Sequence, residues 1–381
     1  MKAICSHNNC TGCGLCVAQC PKGCISMVPG NNFGHLFPKI NEANCIDCGL
    51  CKKICPSLHH VEKSYPNISY AAWSKDEEDY KSSTSGGAAS VLSQYVLSHG
   101  GVVYGCSMFA DIDVRHIRID NIDDLCKLKG SKYVQSDVTS IYPQLRDDVR
   151  EGRLTLFTGT PCQVAAVKNM FKKQPENLIL VDLICHGVPS LHMLKQHVKG
   201  VANYPHYDKV IFREGNIYEI VVIVEGEKVY RRCLNYPRYN DFYLDTFYDG
   251  YTFRESCYSC KYACLNRVSD VTIGDFWKLG KRIPADYIPE HPYGCSLILP
   301  STENGRRLIE KVSAKLNLYE RTVEEAVGGN EQLRHPISID WRKRMFVILY
   351  PVTGSSAYRI AVMDKYILFI LKRIIKKIIK R

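Results

Sequence analysis

Cys10-Thr11-Gly12-Cys13-Gly14-Leu15-Cys16-Val17-Ala18-Gln19-Cys20-Pro21 returns thirty-five residues later as Cys45-Ile46-Asp47-Cys48-Gly49-Leu50-Cys51-Lys52-Lys53-Ile54-Cys55-Pro56. Both copies read C-x2-C-x2-C-x3-C-P. Two-residue spacings let a tight loop aim three sulfurs at one centre, glycines allow backbone amides to come close, and a proline after the fourth cysteine turns the chain. Zinc is the competing reading, but zinc sites take four ligands, typically as two separated pairs, and not two runs of four ending in C-P. The chain has nineteen cysteines among 381 residues and opens Met1-Lys2-Ala3-Ile4-Cys5 with no apolar leader. The thiols are therefore expected in a reducing, cytoplasmic setting, where clustered cysteines are metal ligands more often than disulfides. Cys5 and Cys24 fall outside the repeat and read as ordinary thiols.

The repeat resembles that of the bacterial ferredoxins with two [4Fe–4S] clusters. In those proteins the first three cysteines of each run hold one cubane and the fourth holds the other. The resemblance implies one set made of Cys10, Cys13, Cys16 and Cys55, and a second made of Cys45, Cys48, Cys51 and Cys20. Two neighbouring clusters with exchanged ligands form a short electron wire, which needs an acceptor further along the chain.

The formal charge of +11 overstates the case for an acidic partner. Asp364 to Arg381 holds seven basic residues (Lys365, Lys372, Arg373, Lys376, Lys377, Lys380, Arg381) and one acid, so the tail supplies over half of the excess. Each cubane with its four thiolates adds about two negative charges that the formal count omits. A nucleic-acid reading loses its support, and a regulatory iron–sulfur sensor lacks a DNA-binding segment. No run reaches the roughly 18 apolar residues of a membrane span.

Beyond a polar linker the texture changes. Helical and β-branched segments alternate: helix over 88–99, strand over 101–104, helix over 138–150, strand over 154–157, helix over 164–173, strand over 178–184. A strand-like stretch over 210–232 turns at Glu225-Gly226-Glu227. The expected architecture is α+β and α/β: a small two-cluster head over 1–60, a linker over 61–69, a mixed-sheet α/β core over 70–327, an extension over 328–363 and a basic amphipathic helix over 364–381.

Within the core, Ser83-Thr84-Ser85-Gly86-Gly87-Ala88, Thr158-Gly159-Thr160-Pro161-Cys162-Gln163 and Cys185-His186-Gly187-Val188-Pro189-Ser190 place glycine or hydroxyl residues just before helical stretches. Free amides there favour an anion, such as the pyrophosphate of a flavin. There is no G-x-G-x-x-G after a strand, so a standard dinucleotide-binding Rossmann site is not indicated. Together with Ser131-Lys132-Tyr133-Val134-Gln135-Ser136, Cys257-x2-Cys260, Asp270 and Gly274-Asp275-Phe276-Trp277, these segments resemble the beta-subunit family of coenzyme F420 hydrogenases and dehydrogenases over roughly 70–327.

That resemblance implies an oxidoreductase that binds FAD and a further [4Fe–4S] cluster, with FAD as the switch between one-electron clusters and a two-electron donor or acceptor. By the same analogy the flavin contacts are Ser85, Gly86, Gly87, Ser131, Lys132, Gln135, Thr158, Gly159 and Thr160, with Lys132 and His186 nearest the chemistry. Relatives reduce quite different acceptors, from a deazaflavin (coenzyme F420) to pigment alcohols, and others belong to bacterial polysaccharide biosynthesis. The donor is a redox partner protein or a small molecule. The alternative is a non-catalytic electron-transfer subunit of a larger complex.

Cys257, Cys260 and Cys264 form a compact C-x2-C-x3-C donor that needs one distant cysteine to complete a cubane. Cys162 and Cys185 both lie at expected strand-to-helix junctions, and Cys162 is preferred because Pro161 fixes the turn before it. Zinc on the same residues is the alternative. Along the tail, Ile367, Leu368, Leu371, Ile374, Ile375, Ile378 and Ile379 alternate with cations, the pattern of a helix lying on the inner face of a membrane.

Overall fold

The computed structural model describes residues 3–171, 173–235 and 239–379. At the N-terminus, two short helices, Leu15–Ala18 and Leu50–Lys53, each follow a glycine in the left-handed region, Gly14 at φ 70° and Gly49 at φ 72°. A side chain at either position would be strained, so glycine fixes how each three-cysteine loop enters its helix. An antiparallel hairpin of β1 (Ile25–Pro29) and β2 (Leu36–Ile40) completes the head.

The core is an eight-stranded mixed sheet. Its strands are β3 (Ser69–Ser74), β4 (Val102–Phe109), β5 (Asp113–Ile119), β6 (Thr155–Gly159), β7 (Leu178–Leu183), β11 (Val271–Asp275), β12 (Ser296–Pro300) and β13 (Leu316–Arg321). They lie in the order β13-β3-β12-β11-β7-β6-β4-β5. β4, β6, β7 and β11 run parallel to one another, and the outer neighbours are antiparallel. Side chains alternate across the sheet as a two-residue period requires. Val102, Tyr104, Phe157, Leu178 and Leu180 bury against the helices Tyr142–Arg150 and Pro161–Asn169. Val103, Leu156, Ile179 and Val181 bury on the opposite face with the helices Ala88–Ser98 and Glu303–Val312. The apolar helix faces that marked an α/β core are thus spent on both sides of one sheet.

A second sheet, of β8 (Lys209–Glu214), β9 (Ile217–Val224) and β10 (Glu227–Cys233), is a meander. The turn between β9 and β10 is tighter than the three residues expected. Glu225 and Gly226 both take positive φ, 50° and 78°, as a two-residue turn matching strand twist demands.

The stretch read as a linker is packed. Val61 is buried, and Ser64 pairs with Arg267, its amide donating to the Arg267 carbonyl at 2.8 Å. The head is docked onto the core by Tyr142 Oη donating to the Cys13 carbonyl at 2.7 Å, Asn169 Nδ2 to the Ile54 carbonyl at 3.2 Å, and Ser190 Oγ to the Phe33 carbonyl.

The C-terminal helix runs Met363–Ile379, anchored at its base by Arg342 on Asp364. Ile367, Leu368, Leu371, Ile374 and Ile375 are all exposed on it, so the terminal helix is not packed into the core. The expected cations Lys380 and Arg381 lie outside the described residues. Among the described residues no helix is long and apolar enough to cross a membrane.

Candidate functional site

Folding turns the head's two sequence runs into two mixed groups. Cys10, Cys13, Cys16 and Cys55 line one small cavity, and Cys20, Cys45, Cys48 and Cys51 line the other. The fourth cysteine of each run has crossed to the other run's group. Cys5 and Cys24, expected to be ordinary thiols, each sit in one of these cavities: Cys5 hydrogen-bonds Cys10 and Cys55, and Cys24 Sγ lies 3.4 Å from Cys20 Sγ. Cys48 is exposed whereas Cys10 and Cys55 are buried, so one group faces solvent and the other faces the core.

In the core, Cys162 and Cys185 follow the carboxyl ends of neighbouring parallel strands, β6 and β7, where α/β sheets gather their functional groups. Cys257 closes a short 3-10 turn, Glu255–Cys257, and its sulfur accepts from the backbone near Val188. Cys260 sulfur accepts from the amides of Tyr262 and Ala263. Every pair among Cys162, Cys185, Cys257 and Cys260 is close enough for one thiol to raise the other's pKa. Burial comes first and pushes all four up, Cys257 to about 12. Arg254 and Arg267 act in the opposite direction on three of them, but desolvation outweighs both cations; a metal centre is what makes such a set thiolate.

This grouping differs from the expected set. Cys162 and Cys185 are both members, and Cys264 is not placed with them. Its sulfur lies 3.4 Å from Lys63 Nζ and 3.3 Å from the Asn266 carbonyl. Among the described residues, no three His, Cys, Asp or Glu side chains converge on a single-ion point.

Beside Cys162 opens a cavity of ≈ 300 Å³ along the sheet's carboxyl edge, lined by Ser85, Gly87, Ser131, Lys132, Thr158, Gly159 and Thr160. Thr160 and Cys162 share one helix start, with Thr160 Oγ1 3.2 Å from Cys162 Sγ. The residues fit an anionic cofactor. Ser85 Oγ is buried with no partner among the described residues, Gly87 (φ 82°) opens the helix Ala88–Ser98 without a side-chain cap, and Lys132 is half-buried at the wall. Burial lowers the Lys132 pKa to about 8, and its Nζ donates to the Leu128 and Lys129 carbonyls at 2.9 and 2.8 Å. Lys132 is therefore not a solvated surface lysine.

Three expected contacts lie elsewhere. A Cβ on Gly86 would come 2.1 Å from the Ala72 carbonyl oxygen and 2.6 Å from the Ser296 amide, so this glycine is required by the sheet behind it and not by a ligand. Gly86→Ala is expected to cost about 3 kcal/mol through overpacking against backbone, read as a fall in the thermal midpoint; an unchanged midpoint would contradict this packing. Gln135 leaves the cavity to reach the head, its Nε2 donating to the Thr11 carbonyl at 3.0 Å. His186 stands between Phe247 and Phe253, 3.3 Å from the Tyr248 carbonyl, and does not line the cavity.

Two further groups that line it, His116 and Arg213, carried no local sequence signal, and a third, Asp275, comes from the Gly274-Asp275-Phe276-Trp277 stretch. His116 bonds the Thr158 carbonyl at 3.0 Å and the Ser136 hydroxyl at 3.1 Å, and burial lowers its pKa to about 4, keeping it neutral. Arg213 is buried against the cavity, and its Nη1 donates to both carboxylate oxygens of Asp275 at 2.9 and 2.7 Å.

With this geometry in place, comparison with known proteins finds matches to two segments of the chain. Residues 9–58 match the 4Fe-4S dicluster domain. Residues 152–326 match the C terminus of the coenzyme F420 hydrogenase/dehydrogenase beta subunit. No curated protein matches the chain. Among solved structures, a chain of the xenon-derivatised F420-reducing [NiFe] hydrogenase complex from Methanosarcina barkeri is 20% identical, with a TM-score of 0.47, over 72% of this chain and 87% of that one.

Proposed function

We infer that this chain, an iron–sulfur electron-transfer protein that joins a 4Fe–4S dicluster domain to the C-terminal domain found in the beta subunits of coenzyme F420 hydrogenases and dehydrogenases, is a flavin-dependent oxidoreductase for a small molecule. The observation that carries this reading is the line of sites. The solvent-facing group of Cys20, Cys45, Cys48 and Cys51 adjoins the inner group of Cys10, Cys13, Cys16 and Cys55. Cys13 of the inner group is within electrostatic reach of Cys162 in the core quartet, and Cys162 adjoins the cavity through Thr160.

FAD, when bound, supplies the exchange between one-electron and two-electron chemistry. The protein's own part is to position and to balance charge. Lys132 supplies a cation for phosphate or the flavin ring. Ser85, Ser131 and the amides around Gly87 supply donors. Neutral His116 holds the Thr158 backbone that forms the wall. Arg213 with Asp275 lines the same cavity and offers an acceptor a fixed charged pair. The matched family's name makes a deazaflavin one candidate acceptor class, and a sugar-linked acceptor is the other that the sequence resemblance implies.

The test is anaerobic purification with cofactor extraction, followed by reduction assays against deazaflavin, nicotinamide and ferredoxin donors. Stoichiometric FAD and turnover with one small acceptor are expected. No turnover with any acceptor, together with a copurifying partner, would make the chain a non-catalytic subunit.

The C-terminal helix is proposed to rest on an anionic membrane surface. Its exposed Ile367, Leu371, Ile374 and Ile375 supply apolar area, and the cations of the tail supply attraction that salt screens. Deleting 365–381 is expected to release the protein from anionic liposomes without changing its cofactor spectrum, and salt should weaken binding of the intact chain. Equal liposome affinity with and without the tail would contradict this placement.

A further inference from the structure

Arg254 is 1% exposed and sits where the head meets the core. Its Nη1 donates to the Cys10 carbonyl at 3.2 Å, Nη2 to the Leu36 carbonyl at 2.6 Å, and Nε to Gln135 Oε1 at 3.1 Å, while the guanidinium lies 4.6 Å from the centre of the Phe37 ring. Gly12 takes φ 68°, and a Cβ there would fall 2.5 Å from Nη2, so glycine is what lets the loop of the inner cysteines close on the cation.

All of these acceptors are neutral. Burying a guanidinium without an opposite charge is expensive, by several kcal/mol per ion even after relaxation. The charges within reach of Arg254 are the sulfurs of Cys10 and Cys13 on the head side and of Cys257 and Cys162 on the core side. Arg267 gives the contrast. It is also buried beside the core quartet, but it has a carboxylate partner, Asp182, at 3.0 Å.

We propose that Arg254 is a positioning residue whose counter-charges are the two clusters it separates, and that it joins the head's inner cluster to the core cluster while raising the reduction potential of both. This rests on the reading that the core quartet and the inner head group each hold a [4Fe–4S] cubane. Each oxidised cubane with four thiolates carries about two negative charges, and reduction adds a third. A fixed cation between them stabilises the reduced form on either side. It also offsets the repulsion that an electron on one cluster exerts on the other, at a place from which water is excluded. Two neutral carbonyls and a glutamine fix its fork without neutralising it.

The experiment is an EPR-monitored redox titration of the full-length, anaerobically loaded protein, with iron content, for the wild type, Arg254→Gln and Arg254→Lys. In Arg254→Gln the reduction equilibria of the inner and core clusters should fall at least tenfold, which is 59 mV for a one-electron couple. The outer cluster, held by Cys20, Cys45, Cys48 and Cys51, should not move. Arg254→Lys keeps the charge and should recover most of the difference, which a packing role alone would not produce. Loaded clusters with unmoved potentials in Arg254→Gln would overturn the proposal. Should that variant fail to load, Arg254→Lys decides: near-wild-type potentials support it, and a tenfold fall despite the retained charge overturns it. A wild type holding only about eight irons would remove the core cluster itself, and the proposal with it, a result visible before any variant is titrated.

Discussion

Changing Cys162 or Cys185 to serine is expected to lower iron from about twelve to about eight per chain, whereas Cys264→Ser keeps about twelve. Two cubanes in the head account for the eight, and the core quartet for the rest. The four core thiols are mutually coupled in all their pairings, and each is held by a different local device. Cys162 is set by the proline-started helix, Cys185 by the end of β7, Cys257 by the 3-10 turn and Cys260 by two backbone amides. Losing one ligand leaves three thiolates around a site that needs four. Cys264 reaches toward Lys63 and the Asn266 carbonyl instead, so its loss removes a surface contact. Iron and acid-labile sulfide assays on the three variants decide the matter. Eight irons and one zinc in the unmodified protein would end the core-cluster assignment, and iron loss in Cys264→Ser would restore the set expected from sequence.

Lys132→Glu is expected to strip FAD from the core while leaving the head's absorbance intact. Hydrogen bonds to charged groups contribute about 1.5–3 kcal/mol, so Lys132→Gln alone should weaken binding roughly tenfold or more, and a reversed charge should do worse. The pH dependence has a definite sign. Burial lowers the Lys132 pKa to about 8, so the cation is present below that value and lost above it. A bound phosphate holds the proton on. FAD affinity is therefore flat below pH 8 and falls above it by up to about tenfold per pH unit, and Lys132→Gln abolishes the slope. Fluorescence of released flavin across pH 6 to 10 reads this directly. Equal retention in Lys132→Glu would move the cofactor out of this cavity.

The head was legible because its chemistry is local: ligands two and three residues apart, with glycine and proline setting the loop. The alternating core was legible for a similar reason, since a strand between two sheet faces writes an apolar run and its covering helix an apolar stripe. What failed was proximity in space. Cys264 follows Cys260 closely in sequence but turns away, while Cys185 is drawn in by β7 lying parallel to β6. Gly86 and Gly87 look alike as a pair, yet Gly86 is demanded by the Ala72 backbone and Gly87 by a left-handed helix start. Gln135 sits within a cavity-lining segment but alternates outward to the head. His116 and Arg213 come from two separate strands and nothing in their immediate neighbours marked them, whereas Asp275 stood in the Gly274-Asp275-Phe276-Trp277 stretch.

The central claim is one continuous path from the head through the core quartet to the cavity. Its most direct test is anaerobic rapid mixing of the FAD-loaded protein with a limiting one-electron donor, following cluster and flavin absorbance together in the wild type and in Cys185→Ser. In the wild type, reduction of the head clusters should be followed by bleaching of the flavin. In Cys185→Ser the head clusters should reduce at the same rate and the flavin should stay oxidised. Flavin bleaching at the wild-type rate in a variant proven to lack the core cluster would contradict the account.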